Sequence, residues 1–148
     1  MKLSTKGRYG LRAVFDLAQH YGKGPVPLRE VAERQGLSEQ YLEQLFLGLR
    51  KHGLVKSIRG LRGGYTLSRP PGEITVGNIV RALEGPIAPV ECVSEEDPED
   101  CVRADHCVAR LVWTRLRDAI TDVLDSITLE DMCKTAKERD VTGYMYYI

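Results

Sequence analysis

Three of the four cysteines sit in CVSEEDPEDCVRADHC, residues 92–107, with the spacing Cys92-x8-Cys101-x5-Cys107. Thiolates are soft ligands, so three on one segment could hold a transition metal or an iron–sulfur cluster. The same thiols could form a metal-free redox switch, or belong to an acidic loop with no sensing role. A switch needs an easily formed thiolate, and the carboxylates of SEEDPED oppose one. Zinc fits poorly, because no C-x2-C pair is present. A fourth ligand is not given by the spacing. His106 adjoins Cys107 with a strained bite; Asp105, another acid of the loop, Cys133 and an external thiol or water remain. Cys133 falls in the last helical segment, where a free cysteine commonly serves as a small core hydrophobe.

A second set of chemically competent residues lies in SEQYLEQLFLGLRKH, residues 38–52. Ser38, Gln40, Tyr41, Glu43 and Gln44 would stand at the start of one helix. Gln can pair with adenine through two hydrogen bonds, Glu can accept from cytosine, and Ser or Tyr can reach bases or phosphates. Arg50, Lys51 and Lys56, with Lys2, Lys6 and Arg8, are candidates for phosphate contacts. Arg59 and Gly60 open RGLRGG, a positive, glycine-rich tip suited to a minor groove.

The elements that must position these groups follow from periodicity. Ser4 or Thr5 opens a helix whose apolar face is Leu11, Val14, Phe15, Ala18 and Tyr21. Gly22, Gly24, Pro25 and Pro27 end it. LREVAERQ is a short helix with Leu28, Val31 and Ala32 inward and Gly36 as its left-handed cap. Ser38 caps the next helix, which buries Leu42, Leu45, Phe46 and Leu49. Two short helices joined by a glycine-containing turn are the sequence form of a helix-turn-helix. LVKSI and YTLS then read as the strands of a hairpin, the wing. Thr75 caps a supporting helix over 75–84. After the cysteine segment, Val108, Leu111, Val112, Leu116, Ala119, Ile120, Val123, Leu124 and Ile127 sustain one helical stripe. Thr128 caps a last short helix, LEDMCKTAKE.

The expected fold is mainly α with a small β-hairpin wing: a winged helix-turn-helix domain plus a long dimerisation helix. The expected divisions are 1–84 for the DNA-binding region, 85–107 for a sensor loop, and 108–148 for the dimerisation helix and the short C-terminal helix. Leu111, Val112, Leu116, Ile120, Val123 and Leu124 would pack on their copies around a two-fold axis. The other reading of that stripe is packing back on the first helix.

Charge agrees with this division. Residues 1–69 carry 13 Lys+Arg against 5 Asp+Glu, and residues 70–148 carry 8 against 16, so a net charge of zero hides a basic front and an acidic rear. A basic front suits a polyanion, nucleic acid above all. No apolar run is long enough for a membrane span, and MKLSTKGRYG lacks a signal-peptide core, so a cytoplasmic location is expected. Enzyme patterns are missing: His20, His52 and His106 are scattered, and the glycines of RGLRGGYTL lie between strands and not before a helix. The chain is read as a non-enzyme, with a protein-binding winged helix as the other non-catalytic reading.

LSEQYLEQLFLGLRKHGLVKSIRGLRGGYTLSRP resembles the DNA-binding core of the IscR, NsrR and CymR regulators, the Rrf-two family of bacterial winged-helix factors. MKLSTKGRYGLRA resembles their opening helix, and ITVGNIVRALEGP the segment after their wing. The resemblance implies a homodimer on a palindromic double-stranded operator, with Ser38, Gln40, Tyr41, Glu43, Gln44, Arg59 and Gly60 at the DNA. It also implies an iron–sulfur cluster, of the [2Fe-2S] type, held by Cys92, Cys101 and Cys107. The chain departs from the cluster-binding pattern in three ways. Its first cysteine gap is longer. Arg110 stands where IscR-like members place a histidine, and Arg8 where NsrR-like members place a carboxylate. CymR-like members keep the fold without a cluster and act through a partner enzyme of cysteine synthesis, which leaves that alternative open.

Overall fold

Helix α1 (Thr5–Gln19) starts at Ser4, whose own side chain caps nothing. The cap is supplied from a distance. The Glu84 carboxylate accepts from the Ser4 amide at 2.9 Å, the Gly7 amide at 3.3 Å and the Ser4 hydroxyl. The structure is a computed structural model and describes residues 2–142, with side chains to residue 140. The helix stops at Gln19, so Tyr21 lies beyond it and is exposed, contrary to its expected place on the inner face.

Helices α2 (Leu28–Gln35) and α3 (Glu39–Lys51) form the expected pair. Gly36 closes α2 at φ 67°, a left-handed position that glycine takes without strain. Ser38 caps α3 by accepting from the Tyr41 amide at 3.1 Å. Leu42, Leu45, Phe46 and Leu49 are buried, as their spacing requires. Buried Asp16 of α1 accepts from Arg34 at 2.7 and 2.9 Å and from Gln35 at 3.1 Å, fixing α1 against α2.

Strands β1 (Val55–Ile58) and β2 (Gly64–Leu67) pair antiparallel, with Ile58 opposite Gly64. On its other edge β2 exchanges two 2.9 Å hydrogen bonds with Val26, through Tyr65. The wing is therefore tied to the turn before α2 as well as to α3. Helix α4 (Val76–Glu84) begins with a reciprocal capping box between Thr75 and Asn78.

The rear half does not stand apart. Helix α5 (Val108–Ser126) leads to α6 (Leu129–Thr142), and α6 returns to pack on α1. Val76 N–H donates to Ile127 O at 2.8 Å, and Leu129 N–H to Ile74 O at 3.0 Å. Leu129 is wholly buried in the same core as Val14, Leu17, Phe46 and Ile79. The expected tail GYMYYI lies outside the described residues.

Helix α5 turns part of its predicted apolar stripe away from its own chain. None of its residues is buried. Leu111, Val112 and Val123 are exposed, while Leu116, Ile120 and Leu124 are half-buried. The face it presents inward is mixed: Arg117, Thr121 and Asp125 bond α4 and the loop, while Ile120 and Leu124 line a cavity with Val80 and Ile87. Among the described residues, no helix is long and apolar enough to cross a membrane.

Candidate nucleic-acid interface and cysteine loop

The outer face of α3 carries Gln40, Glu43, Gln44 and Arg50, all exposed. Burial of the opposite face leaves these side chains free to meet base edges. Ser38 is committed as a cap acceptor, which still leaves its hydroxyl hydrogen to donate. Tyr41 is more constrained than its sequence position implies. Its ring packs edge-on against Tyr9 at 6.3 Å, and its hydroxyl lies 3.3 Å from Thr5 Oγ1. Leu47 falls outside the buried stripe of α3 and is 55% exposed on the reading face. Sequence reasoning passed over it, although it is the one leucine of α3 off the 42-45-49 register.

The wing tip has a fixed shape. Gly63 N–H donates to Gly60 O at 3.0 Å, closing a turn with Leu61 and Arg62 at its centre. Gly60 holds φ 121°, and a side chain on Gly63 would overlap the Ile58 carbonyl. Lys56, Arg59 and Arg62 are exposed around this turn.

The cysteine loop is held at one end and open at the other. Cys92 and Cys101 line one open cavity of about 390 Å³ with Glu99, Asp100, Asp105 and Arg110. Cys107 stands at the start of α5, half-buried. His106 is exposed. All four thiols are free. Cys133 packs against the core, and burial pushes its thiol pKa up, as befits a structural cysteine.

The anchored end depends on residues that sequence reasoning missed. Arg81 of α4 bonds Glu95 at 2.7 and 2.9 Å and Asp125 of α5 at 2.7 and 3.0 Å. Glu95 also accepts from the Ile87 amide at 2.9 Å. Arg117 donates to Val93 O at 3.2 Å. Hydrogen bonds from Arg81 hold the Glu95 carboxyl below the usual carboxylate range, against the opposing effect of desolvation, and the Ile87 amide adds to the lowering. The available signal was a second helical register, the polar run Arg110, Thr114, Arg117, Thr121 and Asp125.

A family model described as Rrf2, iron-dependent transcriptional regulator, matches residues 3–135. The chain belongs to the Rrf2 family. As an Rrf2 protein it is a DNA-binding transcriptional regulator. It is 49% identical over 148 residues to the HTH-type transcriptional regulator CymR of Bacillus subtilis, covering all of both chains. The structure titled CymR (YrzC), the global cysteine regulator of B. subtilis, superposes with a TM-score of 0.75 at 51% identity, covering 91% of this chain and 98% of the other. T. potens IscR superposes with a TM-score of 0.76, also at 51% identity, covering 99% and 97%. Six α-helices and a two-stranded antiparallel hairpin among the described residues, with the superposition on these regulators, give the winged-helix fold class expected.

The family model is described as iron-dependent, and the resemblance implies an iron–sulfur cluster against which the donor set can be tested. In kind it fits: three free thiols belong to one loop, and two of them face a common cavity. Among the described residues no three His, Cys, Asp or Glu side chains are gathered closely enough to hold a metal ion. Arg110, a cation in the cavity wall, supplies no fourth donor. Holding a cluster therefore requires the loop to draw its cysteines together.

Proposed function

We propose that this Rrf2 regulator acts in the cytoplasm as a homodimer on a palindromic operator and is switched through its 92–107 loop. The observation that carries the reading is the unpartnered polar face of α3, Gln40, Glu43 and Gln44, beside a basic wing. Ser38, Gln40, Glu43 and Gln44 read base edges, and Tyr41 helps at the same surface. Arg50 and Lys56 meet phosphates, and Arg59 with Gly60 enters a minor groove. The exposed Leu111, Val112 and Val123, with Leu116, Ile120 and Leu124, form the dimer face. The test is a binding titration across salt concentrations. Lys56→Ala weakens all duplexes alike and flattens the log–log salt slope by about one. Arg59→Ala relaxes preference at an A·T-rich position. If neither changes affinity, the chain does not read DNA in this way.

The input at the loop is a [2Fe-2S] cluster held by Cys92, Cys101 and Cys107, with the fourth donor from outside this set or from His106. When bound, it supplies a tether joining both halves of the loop. The chain's own residues do the rest: Glu95, Arg81 and Asp125 connect the loop to α4 and α5, which carry the reading head and the dimer face. A second reading is favoured by Arg110 in the cavity wall: a cluster-free, CymR-like regulator that answers to cysteine supply through thiols or a cysteine-synthesis enzyme. Protein purified without air decides between them. Visible absorbance with iron and sulfide, and operator affinity that changes on their loss, supports the cluster. Colourless, iron-free protein with unchanged binding supports the second reading.

A further inference from the structure

Leu61 stands fully exposed at the wing tip, between the exposed Arg59 and Arg62. It contributes nothing to the fold, and a turn position of this kind ordinarily takes a small or polar residue. The turn closed by Gly60 and Gly63 keeps it there. Its hairpin packs on α3 through β1, so the tip belongs to the surface that carries the reading face. The arginines on either side call for a polyanionic partner, while the leucine calls for apolar atoms close to that charge. The minor groove of DNA offers both. Sugar C–H edges line it between phosphate rows, and at A·T pairs its floor lacks the guanine amino group.

We infer that Leu61 is an apolar minor-groove contact, lying against sugar edges and the A·T floor while Arg59 and Arg62 follow the phosphate potential. It adds a preference for A·T at the wing that charge alone does not supply. This rests on the DNA-reading proposal above, and the two fail separately in the experiment below.

The full chain first enriches a duplex from a random library, and anisotropy then measures affinity. Leu61→Ala is expected to weaken binding about tenfold with an unchanged salt slope, since no phosphate contact is lost. Leu61→Met restores most of that loss. Replacing adenine by 2,6-diaminopurine under the wing adds a minor-groove amino group and leaves the major-groove edge intact. It weakens the wild type more than Leu61→Ala, which keeps only the share of sensitivity that Arg59 supplies. If Leu61→Ala binds like wild type while Arg50→Ala and Lys56→Ala weaken binding, the inference is overturned and DNA reading stands. If Leu61→Ala weakens binding but keeps full sensitivity to diaminopurine, the contact is not in the minor groove and the inference is again overturned. If no duplex is enriched, or no substitution on α3 or the wing matters, both readings fall. Because Leu61 touches nothing in the fold, unfolding of the variant does not confuse these outcomes.

Discussion

Glu95 receives donors from three separate parts of the chain: Arg81 through two nitrogens, the Ile87 amide, and the Thr121 hydroxyl at 3.4 Å. Its carboxylate is partly buried, so these bonds are screened less than surface pairs, though not free of solvent. Glu95→Gln keeps the shape and removes the charge. It is expected to lower stability by about 1–3 kcal/mol in urea unfolding, with an unchanged m value. The pH dependence has a definite sign. The folded-state pKa of Glu95 is depressed, so its contribution is fully present above the unfolded value of about 4.3 and is lost as pH falls through the folded value. The acid limb of a Tm-against-pH curve should therefore be shallower in Glu95→Gln than in wild type below roughly pH 4. The single tryptophan, Trp113 on α5, reports the same loosening by fluorescence.

At the scale of elements, α4 joins the parts. One turn carries Arg81 to the loop and α5, Leu83 against Gly10 of α1 and Gly48 of α3, and Glu84 to the start of α1. A shift of α4 reaches α3 through Leu83 and Ala82, both of which lie beside Gly48. Close approach of α5 depends on Gly77, where a side chain would overlap Asp125 and crowd Arg81. Gly77→Ala should cost about 1–3 kcal/mol by overpacking and speed amide exchange in the last turns of α5. Unchanged exchange there would show that α4 and α5 move independently. These pairings also mark the limit of what the sequence discloses. The reading helix was legible because its buried residues keep one helical period and Ser38 announces its start. The wing was legible from its glycines. The orientation of α5 was only partly legible. Its apolar register was plain, but an apolar stripe ordinarily faces the core of its own chain, whereas here a polar register shares the inward side with Ile120 and Leu124 and leaves Leu111, Val112 and Val123 exposed. That choice depends on Arg81 and Glu95, whose partners are far away in sequence and have no local signature. The packing of Tyr41 has no local signature for a similar reason, since Tyr9 and Thr5 come from another helix.

For the whole molecule, the proposed dimer face on α5 carries a prediction about assembly. Val112 is 55% exposed, so Val112→Asp should leave the single chain folded. Sedimentation of this variant should show a monomer, and operator affinity should fall by orders of magnitude, because both half-sites no longer bind as one unit. A dimer that persists would place the interface elsewhere. The return of α6 has an effect of a different kind. Residues 85–127 leave the reading head at Glu84 and come back to it at Thr128, where Leu129 seals the core. The segment 85–127 is thus an insertion within one folding unit, fastened at both ends. A chain cut after residue 107 should lose cooperative unfolding and not release a working head, which a truncation followed by circular dichroism would check. Evolution meets the same topology. Lengthening a loop whose ends are already pinned costs little, since closure entropy grows only with the logarithm of length. The eight-residue gap between Cys92 and Cys101 is of a kind this topology tolerates, because it leaves the register of the N-terminal helices alone. A segment fastened in this way can change in length, but it cannot be exchanged as a separate cassette.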